Sequence, residues 1–160
     1  MIRRFVLERT GTAAAEFVLA LPMMLALMIG AMEAGHYFWT QHKIVKSVRD
    51  GVRYAARLDV ADLCANDAQT LTDIRNVTAT GQVPGGGIPK VPGWNPANVV
   101  VTISCDSFVS TGIYSDLGEK GPLVTVASSA VPYPSLFDAL GFIDGKFALS
   151  AQSSTAVMGI

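Results

Sequence analysis

Between Thr12 and Met32 the chain runs for 21 residues with a single charged side chain, Glu16. A helix that crosses the hydrocarbon core of a bilayer needs about 20 predominantly apolar residues. In lipid, a helix satisfies every backbone polar group within its own segment. The run therefore predicts one membrane-spanning helix. Glu16 is its difficulty, because a charged side chain at the centre of a span costs about 2.5–3.5 kcal/mol on insertion scales. Charges retained there usually have a partner.

The flanks bear on direction. The N-terminal stretch "MIRRFVLER" holds Arg3, Arg4 and Arg9 against Glu8, which predicts a cytoplasmic N-terminus. Lys43, Lys46, Arg49, Arg53 and Arg57 follow the span and count the other way. The short N-terminal flank meets the translocation machinery first and carries more weight. A cleaved secretory signal fits poorly, since cutting after Ala34 puts Met32 at the −3 position, which favours small residues. Pro22 lies inside the span, where it removes a helical hydrogen bond. Ala26, Gly30 and Ala34 form a small-residue stripe at i, i+4 and i+8. That stripe reads equally as a helix-packing surface and as ordinary span composition.

The helix does not stop at the membrane. Ile44, Val48, Val52 and Ala55 recur at helical spacing, and Gly51 weakens the pattern by only about 1 kcal/mol. One helix from about Thr12 to about Leu58 is predicted, roughly 70 Å long. Its first half is apolar all round and its second half amphipathic. His36 and His42, with Tyr37, Phe38 and Trp39, sit where an aromatic belt meets the membrane surface.

Half of all residues are hydrophobic and only 16% are charged, against about 25% in a typical soluble domain. The remaining polarity lies mostly beyond the helix. "ANDAQTLTDIRNVTATG" predicts a short helix with Leu71, Ile74 and Val77 on one side. "QVPGGGIPKVPGWNP" holds four prolines and four glycines and predicts loop. Alternation in "NVVVTISC", "PLVTVASSAV" and "KFALSAQSSTAVM" predicts three strands. "PYPSLFDALGF" reads as a turn and a short apolar helical piece. The fold class is α+β: a long N-terminal helix whose second half packs on a small antiparallel sheet of about three strands. Cys64 and Cys105 leave two readings open, one disulfide or two unlinked thiols.

Other chemistries find no support. A net charge of −1 without a basic aromatic patch does not point to nucleic acid. His36 and His42 are six apart and have no carboxylate to complete a metal set. "PGGGIP" lacks the lysine and following helix of a phosphate-binding loop. "NVT" at Asn76 matches a glycosylation sequon, a short motif frequent by chance. The expectation is no catalytic residue, no metal, no cofactor and no small-molecule substrate.

The segments "GTAAAEF", "VLALPMMLALMIGAMEAGHYFW" and "SVRDGVRYAAR" together closely resemble the TadE-like family. These are minor pseudopilins of the tight-adherence (Flp-type) pilus, a branch of type IV pili. Gly11, Glu16, Phe17, Leu21-Pro22, Glu33 and the run Asp50 to Ala56 carry the likeness. It covers Arg9 to Arg57, and the C-terminal half matches only in outline. The resemblance implies cleavage between Gly11 and Thr12 by a prepilin peptidase on the cytoplasmic side. Thr12 then becomes the mature N-terminus and Glu16 its fifth residue. Glu16, Phe17 and Pro22 become contacts to other pilins, pseudopilins and the assembly machinery.

The organisation so implied is a leader at 1–11, a transmembrane helix at 12–35, its extramembrane continuation at 36–58, and an extracytoplasmic α+β domain at 59–160. The protein is then a single-pass protein of the inner membrane acting in pilus biogenesis and surface adhesion. A different class stays in competition: an unprocessed single-pass protein whose periplasmic domain binds a ligand or partner.

Overall fold

A computed structural model of the chain describes residues 10–105, 122–138 and 147–158. Residues 1–9 of the expected leader and most of the expected helical piece after Pro134 lie outside them. The chain divides into two compact units, Met1–His36 and Tyr37–Ile160. Helix α1 (Thr10–Ala55) contributes to both.

In the first unit α1 is bare. From Thr12 to Gly35 every side chain is exposed apart from the half-buried Ile29 and Glu33. The helix continues through Pro22. Its apolar stretch has a mean hydropathy of 2.0, none of it is buried, and by length and composition it suffices to cross a membrane.

The second unit has a core because the pattern of α1 changes there. Thr40, Ile44, Ser47, Val48, Gly51, Val52 and Ala55 are buried and recur every three or four residues, so they form one side of the helix. They pack with α2 (Val60–Cys64), α3 (Ala68–Thr80) and a three-stranded antiparallel sheet. The sheet order is β1 (Val99–Ser104), β2 (Leu123–Pro132), β3 (Ala148–Ala156). Val99 stands opposite Ser128, and Val124 opposite Thr155. Alternation decides which face is inside: Val124, Val126 and Leu149 are buried while Val100 is exposed.

The expected helix, loop and strands are all found, with shifted ends and two additions. Helix α1 stops at Ala55, and the chain turns through Arg57 and Leu58, whose N–H groups donate to Tyr54 and Ala55 carbonyls. Helix α2, absent from the sequence reading, starts there because the Asp59 carboxylate accepts from the Ala61 N–H at 2.8 Å. Asp67 does the same for α3, accepting from Thr70 N–H at 2.9 Å. Gly81, at φ +84°, ends α3 in the left-handed conformation.

The second addition is that the Pro/Gly-rich loop feeds the core. Its Val91 and Trp94 are each 1% exposed. The loop is held in place by the Lys90 N–H bonding to Ala79 O at 2.8 Å and the Trp94 N–H to Val91 O at 3.1 Å.

Strand β2 carries a bulge between Ser128 and Val131, where Ser129 and Ala130 oppose the single residue Ser150. Ala130 takes a left-handed φ of +56°. Strand β3 is joined to α1 near both of its ends. Gln41 Nε2 donates to Ser150 O at 3.0 Å, and the Met158 N–H donates to Ala56 O at 3.1 Å.

Candidate functional site

The site the sequence singles out is the Gly11–Thr12 bond, which lies within α1 among its first described residues. Glycine at that position lets the backbone enter a narrow cleft without a Cβ. Glu16 follows four residues after Thr12, close to one helical turn and about 6 Å along the axis.

Thr12, Glu16 and Pro22 are exposed, Phe17 is 57% exposed and Leu21 37%. The site is thus a short run of helix offering one carboxylate and one aromatic ring on an otherwise apolar cylinder. Ala26, Gly30 and Ala34 are also exposed, and a Cβ added at Gly30 would meet nothing within 4 Å. Their stripe is open to close approach by another helix.

Elsewhere the structure brings together residues that the sequence left apart. Cys64 and Cys105 form a disulfide, with Cα atoms 5.9 Å apart and a sequence separation of 41. It ties α2 to the end of β1. Tyr37 packs edge-on against buried Tyr133, with ring centroids 5.4 Å apart. Tyr37 is therefore part of the folded unit as well as a neighbour of the exposed Phe38 and Trp39. Lys43 places Nζ 4.3 Å from the centre of the Trp39 ring, a cation–π contact. His42 is exposed and His36 half-buried. Among the described residues no group of three or more His, Cys, Asp or Glu could hold a metal ion.

The segment Asp50 to Ala56 acquires a structural account. Gly51 is buried, and a methyl group there would overlap the Thr78 hydroxyl on α3. That hydroxyl donates to Ile74 O at 2.7 Å. Gly51 is the place where α3 comes close to α1, which a single-chain propensity argument reads only as a weakness. Asp50 pairs with Lys90 at 3.5 Å, bridging α1 and the Pro/Gly-rich loop. Burial raises the Tyr54 hydroxyl above its ordinary pKa, and the nearby Asp73 carboxylate adds to the shift.

A model of the TadE-like protein family matches residues 11–53. The match opens on the glycine of the candidate cleavage site and spans the apolar helix and the Asp50–Arg53 segment, so the resemblance holds over this stretch. No curated protein and no solved structure matches the chain. The sheet and its disulfide thus stand on geometry alone, and the family match is confined to residues 11–53.

Proposed function

From that TadE-like segment we propose that the chain is a non-enzymatic minor pseudopilin. It is held in the inner membrane by α1, cut by a prepilin peptidase after Gly11, and acts in building a surface-adhesion pilus. One observation carries the reading: a glycine, four small or polar residues and Glu-Phe stand at the head of the one long apolar helix among the described residues, inside the family match.

The chemistry of the cut is simple. Hydrolysis between Gly11 and Thr12 releases the carboxylate of Gly11 with Arg3, Arg4, Glu8 and Arg9 attached, and leaves an α-amine on Thr12. In neutral water that amine, with an ordinary pKa near 8, is mostly protonated. A new cation therefore arises beside the membrane, in a region whose nearest carboxylate in sequence is Glu16.

Between parallel helices of adjacent subunits, this amine meets the Glu16 carboxylate of a neighbour. Pairing removes an isolated charge from an apolar environment and favours one register over its alternatives, as buried polar groups do in coiled coils. The exposed Ala26–Gly30–Ala34 stripe allows the helices to approach. On this reading the N-terminus faces the cytoplasm and the Tyr37–Ile160 unit lies outside.

Mass spectrometry of the protein from its native membranes tests the processing step. A mature N-terminus at Thr12 is expected, and an intact leader in the presence of the cognate peptidase would sink the proposal. Glu16→Ala tests the pairing separately. That variant should still be cut, with pilus formation reduced, and wild-type piliation would remove Glu16 from the mechanism.

A further inference from the structure

Between Gln41 and Ala55 the exposed residues of α1 are His42, Lys46, Arg49 and Arg53, and Arg57 is exposed in the turn just past the helix. Spacings of 4, 3 and 4 place the four helical residues within an arc of about 60° at 100° per residue. Every exposed position on this length of helix is basic. The opposite side holds the buried Ile44, Val48, Gly51, Val52 and Ala55.

Local structure does not account for this face. Arg49 and Arg53 stand at i and i+4 on the helix, a spacing at which like charges destabilise it. The helix dipole favours Arg53 in the last turn of α1, and its effect fades before Lys46 and Arg49. The acidic residue within the stretch, Asp50, is half-buried and pairs with Lys90 instead. With the N-terminus in the cytoplasm, these cations also stand on the side where a translocated flank usually has few.

Carboxylates that could answer them lie just past the helix. Asp59, Asp62 and Asp67 are all exposed. Asp59 and Asp67 cap α2 and α3, each using one oxygen, and Asp62 lies in the first turn of α2. The same unit thus has an exposed cationic face on α1 and an anionic corner in the segment that follows it.

We propose that the Lys46–Arg49–Arg53 face of α1 binds a second copy of this chain, receiving that copy's Asp59–Asp62–Asp67 corner. The inference rests on the assembly reading above and names the partner for the extramembrane part of α1. Setting the face of one copy against the same face of another places cation against cation, so the contact joins two different patches, one from each copy.

A charge swap on the full chain in neutral detergent tests this, read by sedimentation velocity. Lys46→Glu/Arg49→Glu/Arg53→Glu reverses the face. Asp59→Asn/Asp62→Lys/Asp67→Asn reverses the corner, with asparagine keeping both helix caps. The wild-type chain should self-associate at 50 mM NaCl and weaken at least tenfold at 500 mM, as expected for exposed charges. Each variant alone should lose association while keeping the wild-type circular dichroism spectrum and melting temperature. An equimolar mixture of the two should regain it.

A monomeric wild-type chain at low salt would overturn the proposal, as would association indifferent to both variants or a mixture that stays apart. Monomers in detergent that gather only in bilayers rich in phosphatidylglycerol would overturn it in favour of headgroup contact. Leader removal should proceed in all these variants. A failed swap with normal cutting refutes this contact alone, whereas an uncut wild-type chain refutes the processing step.

Discussion

One helix, two solvents: α1 serves the Met1–His36 unit and the Tyr37–Ile160 unit under different rules. In the first, the residues from Thr12 to Gly35 are almost all exposed, and apolar side chains cover every side. In the second, from Thr40 on, buried apolar residues form one seam and the exposed basic ones lie on the opposite face. Burial within the chain specifies the second stretch and leaves the first unspecified. The comparison teaches that side-chain identity matters in different ways along α1. In the span, the general apolar character matters more than the identity of any one side chain. Past Tyr37, each position in the seam has a neighbour that depends on its shape.

The sharpest way to break the comparison is to remove the covalent tie in the second unit. Cys64→Ser/Cys105→Ser should lower the stability of that unit by about 4 kcal/mol in the chain-entropy model for a loop of this size. Chemical denaturation in detergent, followed by tryptophan fluorescence, measures it, since Trp94 is buried there. The span should keep its helical signal throughout.

Next comes a matched pair of truncations on the same helix. Ile44→Ala deletes a fully buried side chain and should cost about 3 kcal/mol in the same assay. Leu25→Ala, at a position 44% exposed, should leave the midpoint unchanged. Equal losses would mean that the two stretches are not specified differently.

Gly51→Ala sets helix propensity against packing. Propensity alone favours alanine by about 1 kcal/mol, whereas overlap with Thr78 should outweigh it and leave the unit about 1–2 kcal/mol less stable. Gly30→Ala, with nothing near its Cβ, should show no such loss. Ala130→Gly should work the other way, stabilising by roughly 0.5–1 kcal/mol, because glycine relieves the left-handed backbone of the bulge.

The smallest effect expected is a pH dependence at α3. Hydrogen bonds from the Thr70 N–H and hydroxyl hold the Asp67 carboxyl below its ordinary pKa. A depressed folded-state pKa contributes stability above the unfolded value, and that stability is lost as pH falls through the folded one. Acidification below about pH 4 should therefore weaken the wild-type unit slightly more than Asp67→Asn, whose cap does not titrate.

The two stretches also differ in how far they could be read in advance. The long apolar helix was legible because it depends on local composition. The strands were legible because alternation reports a half-buried sheet directly. What escaped depends on contacts between distant segments. Gly51 became meaningful only once Thr78 was placed beside it. Trp94 sits in a loop whose prolines and glycines hide its role in the core. The disulfide between Cys64 and Cys105 was one of two readings that the sequence left open, and the fold decides for it. The cations of α1 were visible as a run but not as a face until the other side of the helix was shown to be buried.

The attachments between β3 and α1 have a mechanical side. Ser150 and Met158 meet Gln41 and Ala56 in the same order along both segments. Strand and helix are thus fastened like two rails with a bolt toward each end. A pull along this part of α1 loads both bolts together with the β2–β3 ladder, instead of peeling one contact at a time. A subunit hauled by its helix would carry its sheet along as cargo already strapped down, and the strap is the last strand to be made.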